Sequence, residues 1–286
     1  MKTKITLIAI VLAVWSLLVV GSSAAQDGVM ELEVETDDEL TMYGWLTPSP
    51  ISDKPAPLWV LLHQRAEDHT SWEEFIAQIA RRFANKKAKP INHPHILAVD
   101  LRGHGKSTQF GDFSLSHANM RNEHFVRIPL DVAQMLQQLF KNEEVDLMID
   151  TPNTVFIGAS IGANAAIMAT AELDSLPVRA VVMLSPGEHY ADMFPMESMQ
   201  KFNGYMLGIT STEDKFAAAS MDYFEKKLGD DIDVIRYSAY SHGTGILDRH
   251  PESTDAILDW LLSPEQYQPK ASRPEPAEDT TKVETE

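Results

Sequence analysis

Two spacings of apolar residues divide the chain. Met30, Leu32 and Val34 alternate with Glu31, Glu33 and Glu35, and after Asp37-Asp38 a second alternation runs through Leu40, Met42 and Gly44. A period of two over two short runs with an acidic turn between them predicts a half-buried antiparallel hairpin. Farther on the pattern changes. Residues 57–64, 95–101, 154–159, 179–185, 205–210 and 232–238 are nearly continuous apolar runs. Such runs suit strands buried on both faces of a parallel sheet.

Helical spacing fills the intervals. Trp72, Phe75, Ile76, Ile79 and Phe83 mark one helix, with Ser71 and Glu74 as its expected capping box. Leu130, Val132, Met135, Leu136 and Leu139 mark a second, the small residues 163–171 a third, and 216–228, stopped by Gly229, a fourth. Ala256, Ile257, Trp260 and Leu261 mark the last. Alternating strands and helices predict an α/β fold: a mostly parallel central sheet with an N-terminal antiparallel hairpin and helices on both faces. Ligands of such sheets bind at the carboxyl ends of the strands, so the chemistry is sought there.

The two ends of the chain depart from this pattern. Lys2 and Lys4 precede an apolar run from Ile5 to Val20, followed by Gly21-Ser22-Ser23-Ala24-Ala25. A basic start, an apolar middle and a small-residue exit predict a signal peptide over 1–25, cleaved before Gln26. The run falls short of the roughly 20 residues of a spanning helix, and an uncleaved N-terminal membrane anchor is the alternative. Export to the periplasm or the outside is the expected localisation, with no stable membrane insertion once the signal is cut. With no cysteine in the chain, a lipid-modified N-terminus and disulfides are excluded. Residues 264–286 carry four prolines, six acids and few apolar side chains, which predicts a disordered tail. One domain over 28–263 remains, with no internal repeat.

Composition adds little to that picture. The chain of 286 residues is 44% hydrophobic and 23% charged, ordinary for a globular protein. Its net charge is −18, and loss of Lys2 and Lys4 with the signal makes it −20. Such a surface repels nucleic acid and anionic lipid, but it does not select a substrate. Oligomeric state is not legible.

The apolar run 154–159 leads into Gly158-Ala159-Ser160-Ile161-Gly162 and then a small-residue helix. This is G-x-S-x-G between strand and helix, the setting of a nucleophile elbow. Side chains at Gly158 and Gly162 would collide with the neighbouring strand and helix, and the turn lifts the Ser160 hydroxyl to a helix N-terminus, where negative charge is favoured. A serine needs a base. Of the ten histidines, only His242 lies just beyond the last apolar run, in a loop able to reach the elbow. The alternative is a solvated turn histidine. The base needs an acid to set its tautomer. Asp214 follows the run 205–210, giving the chain order Ser, Asp, His. A helix N-cap is its other reading, and Glu213 and Glu188 are substitutes. For the oxyanion, the N–H of Ile161 is the first expected donor and that of Arg65, then Gln64, the second. His63 and His104 stand beside turns and suit backbone roles. His93 and His95 have no acidic or cysteine partner nearby, so no metal is expected.

Leu61-Leu62-His63-Gln64, Asp100-Leu101-Arg102-Gly103-His104-Gly105-Lys106-Ser107, Gly158 to Gly162, Asp214 and His242-Gly243-Thr244, in that order, resemble the α/β-hydrolase superfamily over about residues 58–262. Within it the chain is most similar to dienelactone hydrolase-like proteins. One departure stands out: the family has His-Gly where this chain has His63-Gln64. The resemblance implies a serine esterase with no cofactor and a small-molecule ester-like substrate. Only residues 186–203 separate two core strands, so little or no cap is expected. Met193, Met196 and Met199 there suit either an adaptable acyl wall or gap-filling. A peptidase or acyltransferase on the same triad, or a non-catalytic binding protein with this fold, are the rival readings.

Overall fold

The structure is a computed structural model that describes residues 17–20, 28–50, 54–84, 93–142, 145, 147–173 and 176–262. Most of the expected signal segment, including Lys2, Lys4 and the cleavage site, lies outside the described residues, as does the expected tail from 264 onward. Leu17–Val20 forms β1, which pairs antiparallel with β2, Met30–Glu35. β2 turns back into β3, Thr41–Thr47, as the alternating pattern predicts, with Leu32, Val34, Met42 and Leu46 facing inward. The parallel strands follow: β4 (Leu58–Leu62), β5 (His95–Asp100), then β8 (Thr154–Ala159), β9 (Val178–Leu184), β10 (Tyr205–Ser211) and β11 (Asp233–Tyr237). Between β5 and β8 lies a two-stranded hairpin of β6 (Gln109–Phe110) and β7 (Phe113–Ser114). The main sheet runs β1-β2-β3-β5-β4-β8-β9-β10-β11.

The helices are α1 (Glu73–Ala84), α2 (Asn122–Phe125), α3 (Ile128–Lys141), α4 (Ile161–Ala169), α5 (Met196–Lys201), α6 (Lys215–Leu228), α7 (Gly245–Arg249) and α8 (Glu252–Leu262). β4 shows why they cover both faces. Leu58, Val60 and Leu62 join one core with Met135 and Leu136 of α3, Ala165 of α4 and Phe224 of α6. Trp59 and Leu61 point the other way, to Phe75 and Ile79 of α1 and Ile257 and Leu258 of α8. A strand buried on both sides has no position to spare for a polar residue, hence the unbroken apolar run. Among the described residues no helix is long and apolar enough to cross a membrane.

The details correct several expectations. The run 232–238 is not buried on both faces: β11 is the sheet edge, with Asp233 and Arg236 exposed. Arg236 bonds Asp222 and Glu225 of α6 at 2.8 Å each, and charge on an edge strand discourages pairing with another chain. The expected Ser71–Glu74 capping box does not form. Asp68 accepts from the Thr70 N–H at 2.9 Å and starts a tight 3-10 turn over His69–Trp72, so the helical path begins before Ser71. Met193 and Met199 are fully buried in the main core, which settles them as gap-filling. His95 opens β5, at the start of the run 95–101; its Nδ1 accepts from Ser49 N–H at 3.0 Å and its Nε2 donates to the Met148 carbonyl at 3.2 Å.

One ion pair carries unusual weight. Arg102, fully buried after β5, donates from Nε and Nη2 to the two oxygens of Asp131 on α3, at 2.7 and 2.6 Å. Asp38, in the β2–β3 turn, accepts from Nη2 at 2.8 Å. The arginine thus joins the hairpin, the β5 end and α3. Breaking a buried pair leaves an uncompensated charge, which costs about 3–5 kcal/mol, whereas exposed pairs are worth about 0–1 kcal/mol. Asp131→Ala should therefore lower the urea-unfolding free energy by about 3–5 kcal/mol. Arg127→Ala, which removes only the partly exposed partner of Asp37 and Asp38, should cost about 1 kcal/mol or less. Equal losses in the two variants would mean that the buried pair is not special.

Candidate active site

β8 ends at Ala159 and α4 begins at Ile161, so a single residue reverses the chain. Ser160 does so at φ 52°, ψ −114°, where a side chain costs on the order of 1–3 kcal/mol. Its N–H donates to the Leu184 carbonyl at 2.8 Å, and its carbonyl accepts from Ala163 and Asn164 at 2.9 and 3.2 Å. A Cβ on Gly158 would sit 2.1 Å from the Gly162 carbonyl oxygen, and one on Gly162 would sit 2.2 Å from that of Leu62. Both collisions anticipated for the elbow are therefore real. They also show how tightly the end of β4 is drawn against the first turn of α4. Ala66, Ser185 and Ala239, in the connections after β4, β9 and β11, also hold positive φ. Unfavourable backbone is thus collected at the carboxyl edge of the sheet, where functional residues concentrate.

His242 lies in the loop after β11. Its Nδ1 bonds Asp214 Oδ2 at 2.5 Å. Asp214 is 9% exposed and His242 34%, so the carboxylate is sheltered and the imidazole reaches toward solvent. The other oxygen of Asp214 accepts from the Ala217 N–H at 3.3 Å and caps α6. One oxygen of Asp214 thus makes the N-cap expected of it, and the other makes the contact with His242 that the acid reading requires. Glu213 and Glu188 are exposed, and neither contacts His242 among the described hydrogen bonds. None of those bonds joins Ser160 to His242 directly. The two are tied through β9, since Ser160 bonds Leu184 and the Gly243 N–H donates to Ser185 Oγ at 3.0 Å.

The main-chain N–H groups of Ile161, Gln64 and Arg65 donate to no acceptor among the described residues. The first opens α4, and the other two lie in the turn that Gly162 touches. The side chains of this turn point elsewhere. The Gln64 amide bonds Thr244 and Glu67. The Arg65 guanidinium reaches the His117 carbonyl at 3.4 Å and lies 5.9 Å from the Phe125 ring centre. Only their backbones are candidate oxyanion donors.

His63 and His104 have the backbone roles expected of them. His63 donates from Nδ1 to the Gln64 carbonyl at 2.7 Å and accepts the Leu101 N–H at Nε2 at 3.0 Å, fastening the end of β4 to that of β5. Burial, helped by nearby His104, lowers its pKa to about 4, so it is neutral at physiological pH. His104 bonds the Arg102 carbonyl at 2.8 Å, and burial lowers its pKa as well. Asp68, His69 and Asp100 bring possible metal-ligand atoms within 4.8 Å of one another. Asp100 is already filled: it accepts the His69 N–H and Nδ1 at 2.8 and 2.9 Å and the Lys106 N–H at 2.7 Å. It serves as a backbone pin.

Sequence reasoning missed Asn164 and Ser185. Asn164 exchanges two 3.0 Å hydrogen bonds with the backbone of Gly187, pinning the loop after β9 to α4. Its signal was there: a lone amide in a buried helix of small residues needs a partner. That loop carries His189, whose ring lies 6.1 Å from Phe194 and 6.2 Å from Phe216. Phe194 and Phe216 are exposed, as is Tyr240 beyond β11, giving this edge an aromatic rim. A cavity of about 560 Å³ lined by Asn153, Arg179, Lys201 and Phe202 opens at the amino ends of β8–β10, the wrong end for the elbow.

Comparison with known proteins agrees with this architecture. The model of the alpha/beta hydrolase family matches residues 68–225. That is more than half of the chain and includes Ser160 and Asp214, and the chain belongs to this family. An esterase from Pyrococcus furiosus shares 17% identity, covering 85% of this chain and 94% of its own, with a TM-score of 0.59. A dienelactone hydrolase from Anabaena variabilis shares 17% over 80% of this chain and 93% of its own, TM-score 0.57. An acetyl xylan esterase from Paenibacillus sp. R4 shares 14% over 89% of each chain, TM-score 0.65. At such identities the likeness is one of fold. No curated protein matches this chain by sequence.

The buried histidines set a pH dependence. His63 has a folded pKa near 4 against an ordinary 6.5, so between these values the unfolded chain binds the extra proton. Its contribution to stability is complete above pH 6.5 and is lost as pH falls toward 4. The urea midpoint of the wild type should fall from pH 7 to pH 5, and His63→Gln, though less stable at pH 7, should show a shallower fall. An unchanged slope in the variant would show that His63 is not the titrating group.

Proposed function

We propose that the protein is an exported serine esterase that cleaves a small carboxylic ester through an acyl-enzyme on Ser160. The observation that carries this is the His242–Asp214 hydrogen bond, 2.5 Å long and anchored beside a serine elbow. With Nδ1–H given to Asp214, the lone pair of Nε2 is available to take the Ser160 proton. Ser160 Oγ attacks the carbonyl carbon, and the Ile161 N–H, with that of Gln64 or Arg65, stabilises the oxyanion. Collapse expels the alcohol, which takes the proton from His242. Water then attacks the acyl-enzyme with His242 again as base, releasing the acid and restoring Ser160. The esterase names of the solved relatives favour an ester over an amide, and the aromatic rim of Phe194 and Phe216 suits an apolar group on it.

Ser160→Ala should abolish hydrolysis of p-nitrophenyl acetate and labelling by a fluorophosphonate while the circular dichroism is unchanged; loss of a triad nucleophile costs on the order of a million-fold. Asp214→Asn isolates the acid, because asparagine still caps a helix. It should lower turnover by roughly ten-thousand-fold, whereas Glu213→Gln and Glu188→Gln should stay within about twofold, being surface changes. A crippled Glu188→Gln with an active Asp214→Asn would move the acid to the loop after β9.

Export rests on the pattern of residues 1–25, and cleavage before Gln26 would remove β1 and leave β2 at that edge of the sheet. Sequencing the N-terminus of protein recovered outside the cytoplasm should read Gln26 first. An intact Met1 in the membrane fraction would mean an anchor instead.

A further inference from the structure

Gln64 stands where the family has glycine, and its side chain has definite work. Gln64 Oε1 accepts from the Thr244 N–H at 3.1 Å, and Nε2 donates to Glu67 Oε1 at 2.7 Å. Glu67 Oε2 in turn accepts from Thr244 Oγ1 at 3.3 Å. These three bonds close a ring between the turn after β4 and the loop after β11. Its polarity is fixed, because an ionised carboxylate only accepts and so sets which end of the Gln64 amide faces Thr244. Gly243 confirms how closely the two segments approach: at φ +56°, a Cβ there would lie 1.6 Å from Gln64 Oε1. The segments joined are the one with the Gln64 and Arg65 N–H groups and the one with His242.

We propose that Gln64 and Glu67 are positioning residues that clamp the oxyanion turn to the base loop, holding both halves of the candidate machinery in register. The inference rests on the serine esterase reading for its kinetic consequence but not for the clamp itself. Ser160 reacts only when Nε2 and the oxyanion donors are placed together, and a displacement of about 1 Å can cost a hundredfold in rate. Besides the His242–Asp214 bond, Gly243 N–H donates to Ser185 Oγ and Ser211 Oγ donates to the Ala239 carbonyl, but neither bond reaches the turn after β4. Without the ring, the Thr244 side of the loop loses its hydrogen bonds to the turn after β4.

The test exchanges the two side chains. Gln64→Glu is nearly isosteric but sets two carboxylates against each other. The double variant Gln64→Glu with Glu67→Gln can restore all three bonds at unchanged net charge: only the bond between residues 64 and 67 reverses direction, while the Thr244 N–H and hydroxyl still donate. With p-nitrophenyl acetate as substrate, Gln64→Glu should lose about ten- to a hundredfold in kcat with KM nearly unchanged, and the double variant should recover most of the loss. Hydrogen exchange at the Thr244 amide should quicken in the single variant and slow again in the double. Wild-type turnover in Gln64→Glu, or no recovery in a folded double variant, overturns the proposal. If Gln64→Glu does not fold, Glu67→Ala, which leaves Gln64 in place, carries the same kinetic and exchange test. A wild type that neither turns over esters nor reacts with a fluorophosphonate defeats the esterase reading alone. The Thr244 exchange pattern then still decides the clamp.

Discussion

The architecture turns on the contact between the end of β4 and the first turn of α4. Gly162 lets the helix backbone reach the Leu62 and His63 carbonyls, and Gly158 lets the same helix fold back on its own strand. A methyl group at either position would push helix and strand apart. With α4 this close, its N-terminal N–H groups lie beside the turn after β4, and Ser160 has no room for anything but the reversed backbone it adopts. The unfavourable conformation persists because the hydrogen bonds to Leu184, Ala163 and Asn164 over-determine it.

From that contact the rest of the carboxyl edge is assembled by small polar ties rather than by packing. Asn164 holds the loop after β9, Ser185 holds Gly243, Asp214 divides its oxygens between α6 and His242, and Gln64 with Glu67 holds Thr244. Each uses a group that satisfies a backbone donor left over at the end of a strand or helix. Loops over an apolar sheet have no core of their own, so directional bonds are what can fix them. The same logic explains the neutral His63: a charged imidazole could not accept the Leu101 N–H that joins β4 to β5.

Electrostatics separates the scaffold from the site. Arg102 and Asp131 are wholly enclosed and unite the hairpin, β5 and α3, remote in sequence from the elbow, so their charges serve architecture. Asp214 is enclosed on one side only, and its partner imidazole keeps access to solvent. That exposure suits the proton-transfer role proposed for His242, whereas a structural pair is better without it.

Local pattern sufficed for much of this. Burial on both faces demands unbroken apolar runs, and those runs located five of the six parallel strands as buried; the sixth, β11, proved an edge, because an apolar run does not report whether a neighbour exists on each side. The elbow was legible because its glycines and serine are contiguous, so sterics within a few residues dictate the motif. The order of Ser160, Asp214 and His242 pointed to candidates, since each follows a strand. Pairings between distant residues were another matter. That Asp214 bonds His242 while also capping α6, that Asp68 starts the turn in place of Ser71, that Met193 and Met199 fill core, and that the Gln64 amide reaches across to Thr244 were decided only when the strands aligned side by side. A hydrogen bond between segments far apart in sequence depends on sheet order and loop path, and no local spacing encodes either.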